Sequence, residues 1–329
     1  MPTTTTIQTV TGPIAVSDLG RTLMHEHMLI GYPGWESDTL RPGPARSEMV
    51  SMCSDRIDEM RAHGVTTMVD PCPNDLGRDV EFAAEMSART GFRVICATGL
   101  YKENEGGAPY WKFRANFGAH PDSIAEVFIR ELTVGIGQTG IRAGIIKVAT
   151  GSPKISDYER MLLTAAAKAS VETGAPITTH TDHGMLGDEQ QRILVEAGVP
   201  AHRIIIGHSC GSADHDYHMN IVRGGSYLGF DRFGLGVLQP DDVRVSSLLA
   251  VLAKGAGSRV VVSHDSVWCW RGQPIPNSED FLEMMSVWTP SHFFTGIVPK
   301  LLEGGATKEQ IETMLVDNPR RFFAGDPPP

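Results

Sequence analysis

The stretch Arg21-Thr-Leu-Met-His-Glu-His-Met-Leu-Ile30 joins a run of strand-forming apolar residues to two histidines separated by one glutamate. In an extended strand side chains alternate between faces, so His25 and His27 point the same way and both imidazoles can grip one cation. Surface histidines or a capped strand end would give the same three letters, so the neighbouring sequence has to decide. Outward from this run, Thr22 to Ile30, the chain repeats the pattern seven times: Thr66 to Cys72, Arg93 to Leu100, Ala143 to Gly151, Ala175 to Asp182, Arg203 to Cys210, Ser226 to Phe233 and Arg259 to Trp268. Helical candidates lie between them, at Glu48 to His63, Asp122 to Ile136, Ser156 to Thr173, Asp188 to Ala197 and Asp241 to Lys254. Near-continuous apolar runs are the mark of strands buried on both faces, as in a parallel sheet covered by helices. Eight such units in order predict an α/β fold, a (β/α)8 TIM barrel, with 1–329 as one domain. A doubly wound open sheet is the rival, because periodicity does not reveal closure.

At 329 residues and 41% hydrophobic, the chain can bury a large core. A formal charge of −10 repels nucleic acid and anionic membranes, which leaves a small molecule as the expected partner. Cys53, Cys72, Cys96, Cys210 and Cys269 are scattered and never form C-x-x-C, fitting neither a disulfide scaffold nor a thiolate zinc site. A reducing cytoplasm is the simplest home. The opening Met-Pro-Thr-Thr-Thr-Thr has no basic region or long apolar stretch, so neither a signal peptide nor a membrane span is expected.

In a barrel the active site lies at the carboxyl ends of the strands, and that is where polar residues interrupt these runs. Run four, Gly144-Ile-Ile-Lys-Val-Ala-Thr150, holds Lys147; run five ends Ile177-Thr-Thr-His-Thr-Asp182; run six ends Ile206-Gly-His-Ser-Cys210; run eight continues Val262-Ser-His-Asp-Ser266. Singly, His180 and His208 read as hydrogen-bonded structural residues and Asp265 as a helix cap or turn. Lys147 asks for more, because an ammonium in an apolar strand costs several kcal/mol unless paired or neutralised. Either its tip snorkels to solvent, or burial leaves a neutral amine that can take up carbon dioxide as a carbamate, an anionic ligand able to bridge two cations.

Together these residues resemble the binuclear metal centre of the amidohydrolase superfamily, and their flanks are similar to the phosphotriesterase family, in particular its phosphotriesterase-like lactonase branch. The resemblance runs nearly the length of the chain, through Thr11-Gly-Pro-Ile14, Asp18-Leu-Gly20, His25-Glu-His27, Gly144-Ile-Ile-Lys147, Gln190-Gln-Arg192, Gly207-His208 and Asp317-Asn-Pro319. It implies two divalent metal ions (zinc, or cobalt, manganese or iron): His25, His27 and Asp265 would hold the buried ion, His180 and His208 the exposed one. Carbamylated Lys147 and a hydroxide would bridge them. Ions roughly 3.5–4 Å apart generate hydroxide at neutral pH and polarise the substrate, with Asp265 as proton acceptor. Tyr101, after Thr98-Gly-Leu100, and Arg232, in Gly229-Phe-Asp-Arg-Phe-Gly234, resemble the lactonase-like branch, the tyrosine reaching toward the hydroxide. Tyr101 could instead seal the barrel mouth, and Arg232 could pair with Asp231 or another loop acid. The implied enzyme is a homodimeric hydrolase opening lactones, acyl-homoserine or other γ- or δ-lactones, with phosphotriesters or other esters as the alternative.

Three other readings compete with the resemblance. Gly207-His-Ser-Cys-Gly211 satisfies G-x-S-x-G, which would make Ser209 a serine-hydrolase nucleophile but leaves His25, His27 and Lys147 without a role. Gly135-Ile-Gly-Gln-Thr-Gly140 spells a dinucleotide fingerprint in the wrong context, after a helix and before a strand. A barrel that binds metal without turnover is the third. The long segments Lys102 to Phe117 and Ser266 to Pro290 are expected to shape the pocket with their aromatic residues. Trp268 and Trp270 depart from the cysteine- and tyrosine-rich context of many lactonase-like relatives, and His183 reads as a solvated loop residue.

Overall fold

The apolar runs become eight parallel strands in a computed structural model that describes residues 5–118, 121–276, 278–327 and 329. They are β1 (Arg21–Leu23), β2 (Val65–Asp70), β3 (Arg93–Leu100), β4 (Ile145–Thr150), β5 (Ile177–Thr181), β6 (Ile204–Ile206), β7 (Tyr227–Phe230) and β8 (Val260–Val262). Neighbours in the sheet follow chain order, as right-handed crossovers dictate. The ends meet where the Met24 N–H donates to the Val262 carbonyl (3.3 Å) and the Asp265 N–H to that of His25 (2.9 Å). Just beyond, His27–Ile30 pairs in parallel with Val267–Trp270. The sheet closes into a (β/α)8 barrel, which excludes the open-sheet alternative.

Helices wrap the outside: α1 (Arg46–Ala62), α2 (Val80–Thr90), α3 (Pro121–Thr133), α4 (Asp157–Thr173), α5 (Gly187–Glu196), α6 (His215–Arg223) and α7 (Asp241–Ala253). Helix α4 begins where the Ser156 hydroxyl accepts the Glu159 N–H and Glu159 returns the bond to Ser156 N–H, a reciprocal cap that satisfies two otherwise orphaned donors. Strand alternation sends Val69, Ile95, Ala97, Ile145, Ile205, Tyr227 and Val261 into the lower barrel, where Leu19, Phe322 and Phe323 seal the floor. Two residues above Ile145 on the same face stands Lys147, so its ammonium is committed to the interior at the upper end.

The sequence boundaries fail where the site is built. The first and last runs each split, at residues 24–26 and 263–266, and the sixth shortens to three residues. Asp265 (φ 53°) and His208 (φ 59°) adopt the left-handed region, which a continuing strand does not allow. Helix α3 stops at Thr133, short of the expected Ile136. The Gly135 to Gly140 stretch joins this helix to β4, the reverse of a dinucleotide loop. Among the described residues no helix is long and apolar enough to cross a membrane.

Candidate active site

The carboxyl ends of the strands bring His25, His27, Lys147, His180, His208 and Asp265 to one mouth of the barrel, lining a cavity of about 180 Å³. The four imidazoles pack as a chain, with ring centroids 5.3 Å apart for His25–His27, 4.8 Å for His25–His208 and 4.6 Å for His180–His208. Asp265 reaches into their midst: Oδ1 is 3.4 Å from His25 Nε2 and 3.2 Å from His27 Nε2, and Oδ2 is 3.7 Å from His208 Nε2. Lys147 Nζ lies 3.1 Å from His25 Nε2 and 3.3 Å from the Thr179 carbonyl, so it does not snorkel to solvent. One donor atom each from His25, His208 and Asp265 falls within 4.8 Å of the others.

Carboxylates hold the far side of three rings. Asp70 at the end of β2 stands 3.1 Å from His27 Nδ1, Asp231 after β7 stands 2.9 Å from His208 Nδ1, and Asp182 after β5 stands 2.9 Å from His180 Nε2. Such partners fix ring orientation and leave the other nitrogen aimed inward, the arrangement that recurs behind metal-bound histidines. Lys102 secures Asp182 in turn, at 2.8 Å. The sequence reading missed these acids as a set; their shared signal is an aspartate at or just past the end of a barrel strand.

Burial sets the charges. It holds the imidazoles of His25 and His208 below the ordinary histidine range and His180 down at about 3, so all three are neutral with lone pairs available at neutral pH. Burial also opposes charge on His27, but carboxylates at both ring nitrogens, Asp265 and Asp70, outweigh it and raise that ring well above the usual value. For Lys147 burial wins over the attraction of Asp265 and Asp231 and brings the amine down to about 8. Asp265 goes the other way: burial resists its charge, yet His208, Arg232 and His25 hold it well below the carboxylate range.

This donor set fits a pair of cations. The neutral imidazoles of His25, His180 and His208, the ionised Asp265 and a lysine brought down to about 8 converge in a buried space. His25 Nδ1 is buried 3.2 Å from Asp231 Oδ2 outside hydrogen-bonding geometry, so one nitrogen of that ring is left unsatisfied while the other meets Lys147. His27, Asp70 and Cys72 also form a group of ligand type. The Asp70 carboxylate there is already taken by the N–H groups of Met28 and Cys72 (3.1 Å each) and by His27.

Tyr101 and Arg232 also line the cavity. The Tyr101 hydroxyl is 3.2 Å from His180 Nδ1, and burial pushes its pKa well above the usual phenol value. Arg232 Nε donates to Asp265 Oδ2 at 2.8 Å, so its acid partner is Asp265, not the adjacent Asp231. The remaining wall is apolar: Ile30, Tyr32, Leu76, Leu235, Trp270 and Trp288. Of the two long segments only the second contributes here, since the described residues of 102–117 do not line the cavity. Ser209 is fully buried and its hydroxyl donates to the Ile206 carbonyl (2.6 Å), which removes the serine-nucleophile reading. His183 is exposed.

Known proteins resemble this chain in sequence and fold over their length. The model of the phosphotriesterase family matches residues 5–323. A phosphotriesterase homology protein of Mycobacterium tuberculosis is 38% identical over 96% of this chain and 97% of its own. The aryldialkylphosphatase of Saccharolobus solfataricus is 31% identical over 94% and 97%. Among solved structures, the organophosphorus hydrolase of Deinococcus radiodurans superposes with a TM-score of 0.94 at 42% identity, covering 98% of both chains. A variant from the same organism described as a phosphotriesterase-like lactonase gives 0.92 at 40%, covering 96% of this chain and 99% of that one. Identity at this level, sustained from end to end, goes beyond a shared barrel, and the chain belongs to the phosphotriesterase family.

Proposed function

We propose that this protein is a metal-dependent hydrolase that opens lactones, with phosphotriesters as secondary substrates. The observation that carries the reading is the convergence of His25, His27, His208, Lys147 and Asp265 around one small space, with Asp70 and Asp231 behind two of the rings. His25, His27 and Asp265 would hold one divalent ion and His180 and His208 the other, with Lys147 between them as its carbamate. When bound, the pair supplies a water of lowered pKa and an electrophilic pull on the substrate oxygen.

The residues of the chain supply the rest. Lys147, with a pKa near 8, is neutral in about one molecule in ten at pH 7, enough for its amine to attack carbon dioxide and lose a proton as the N–C bond forms. Asp265 is ionised and can accept the proton of the attacking water. Arg232, fixed on the outer oxygen of Asp265, keeps that carboxylate aimed and presents positive charge to the alkoxide released as the ring opens. Tyr101 stays protonated and can donate to a substrate oxygen from the mouth. Ring opening suits a small apolar chamber, because leaving group and acyl part remain one molecule. The branch of the lactonase-like neighbour and the positions of Tyr101 and Arg232 favour lactones over phosphotriesters as main substrates.

The same reading takes a small-molecule partner and a homodimer. Five free, buried cysteines suit a reducing cytoplasm. Elemental analysis of the purified protein, coupled to lactone, ester and phosphotriester assays with and without a chelator, tests it. Two ions per chain and chelator-sensitive lactone cleavage are expected; full activity in metal-free protein would refute it.

A further inference from the structure

The glutamate between the two histidines has no place in the chemistry above, yet it is the most heavily bonded buried acid near the site. Glu26 is fully buried and points away from the cavity, opposite to His25 and His27, as strand-like alternation requires. Its Oε1 accepts the Ser263 hydroxyl (2.8 Å), the His264 N–H (2.9 Å) and His264 Nδ1 (2.6 Å). Its Oε2 accepts the Ser266 N–H (3.2 Å) and the Ser266 hydroxyl. All these donors belong to the segment 263–266. Asp265 alone in that segment gives Glu26 nothing: its N–H goes to the His25 carbonyl, and its side chain turns into the site at a left-handed φ of 53°.

His264 extends the contact outward. Its Nε2 accepts the Phe293 N–H (2.8 Å), which requires the ring proton on Nδ1, where it meets Glu26. Its carbonyl accepts the indole N–H of Trp288, a wall residue of the cavity (2.8 Å). A left-handed aspartate is strained and persists only where its surroundings over-determine it. Here one carboxylate grips the residues on both sides of it, while the His25 carbonyl takes the N–H of Asp265 itself.

We infer that Glu26 and His264 form a positioning dyad that sets the backbone of Asp265 and so aims its carboxylate at His25 and His27. The inference rests on the proposed role of Asp265 and goes beyond it. One strand end thereby places two ligand-type side chains directly and a third through the residue between them. The dyad requires a carboxylate, because every partner of Glu26 is a donor; a glutamine amide would turn its own N–H groups on one of them.

The test uses cobalt-loaded enzyme with wild type, Glu26→Gln and Ser266→Ala. The readouts are kcat and KM on a cleaved lactone, cobalt content, the visible cobalt spectrum and thermal denaturation. Glu26→Gln is expected to lower kcat at least about a hundredfold, the scale of a lost general base, with KM changed little and an altered cobalt spectrum. Ser266→Ala removes one donor, leaves the fold intact, and is expected to lower kcat about fivefold with the same KM. It decides the matter if Glu26→Gln does not fold. Variants that keep wild-type kcat and spectrum while melting earlier would show a purely structural role and overturn the dyad. A wild type that takes up no cobalt would instead overturn the metal reading, and the dyad with it.

Discussion

Lys147 is the residue at which the energetic argument is sharpest. Its amine is held near 8 by burial against an ordinary value of 10.5, so the native metal-free protein binds fewer protons than the unfolded chain between those limits. The sign follows: stability of the metal-free form rises as pH goes from about 8 to 10.5, by about 3 kcal/mol at most, and the penalty is constant below 8. In denaturant titrations this slope should appear as the difference between wild type and Lys147→Met, because other buried groups titrate in both. With metal supplied, Lys147→Ala should lose most of its bound ion and activity, and added short carboxylic acids should restore part of both by standing in for the carbamate. Unchanged metal content in that variant would refute the bridging role. Asp265→Asn should lower kcat by about 10²- to 10⁴-fold with a much smaller change in KM, measured on a lactone.

Strands and helices explain which parts of the molecule were legible in advance. Apolar runs with their polar ends gave all eight barrel strands, and Lys147 was conspicuous as the one lysine inside such a run. Strand limits failed at Met24–Glu26, at Gly207–Cys210 and at Ser263–Ser266, because there side-chain and backbone contacts from other strands override local preference. Helix α2 carried legible stop and start signals, Asp79 accepting the Phe82 N–H and Gly91 at φ 72°, that the periodicity reading passed over. Asp70 and Asp231 were not legible as partners of His27 and His208, since only the closed barrel brings one strand end against its neighbour, whereas Asp182 stands two residues past its partner His180 in the same run. That closeness predicts a sensitivity. Gly99 on β3 pairs in register with Lys147 on β4, and a Cβ built there would lie 1.7 Å from the Lys147 carbonyl, at a φ of 148°. Gly99→Ala should therefore cost roughly 3 kcal/mol in chemical denaturation and weaken metal retention, whereas a mere loss of helix-side packing would leave metal content intact.

Across the whole molecule, an apolar floor of the barrel supports a polar mouth, where the proposed function places the cations. Stability should accordingly be linked to metal: ligand present at about a thousand times its dissociation constant adds about 4 kcal/mol, so chelation should lower Tm by several degrees and reloading should reverse it. The negative net charge adds a modest attraction for cations and none for anionic polymers. Anomalous diffraction from crystals of the metal-loaded protein would reveal whether residues far apart in sequence cage a cation pair. Two anomalous peaks among His25, His27, His180, His208 and Asp265 are expected, with carboxyl density extending Lys147 between them; a single or absent peak beside an unmodified Lys147 would overturn the metal pair.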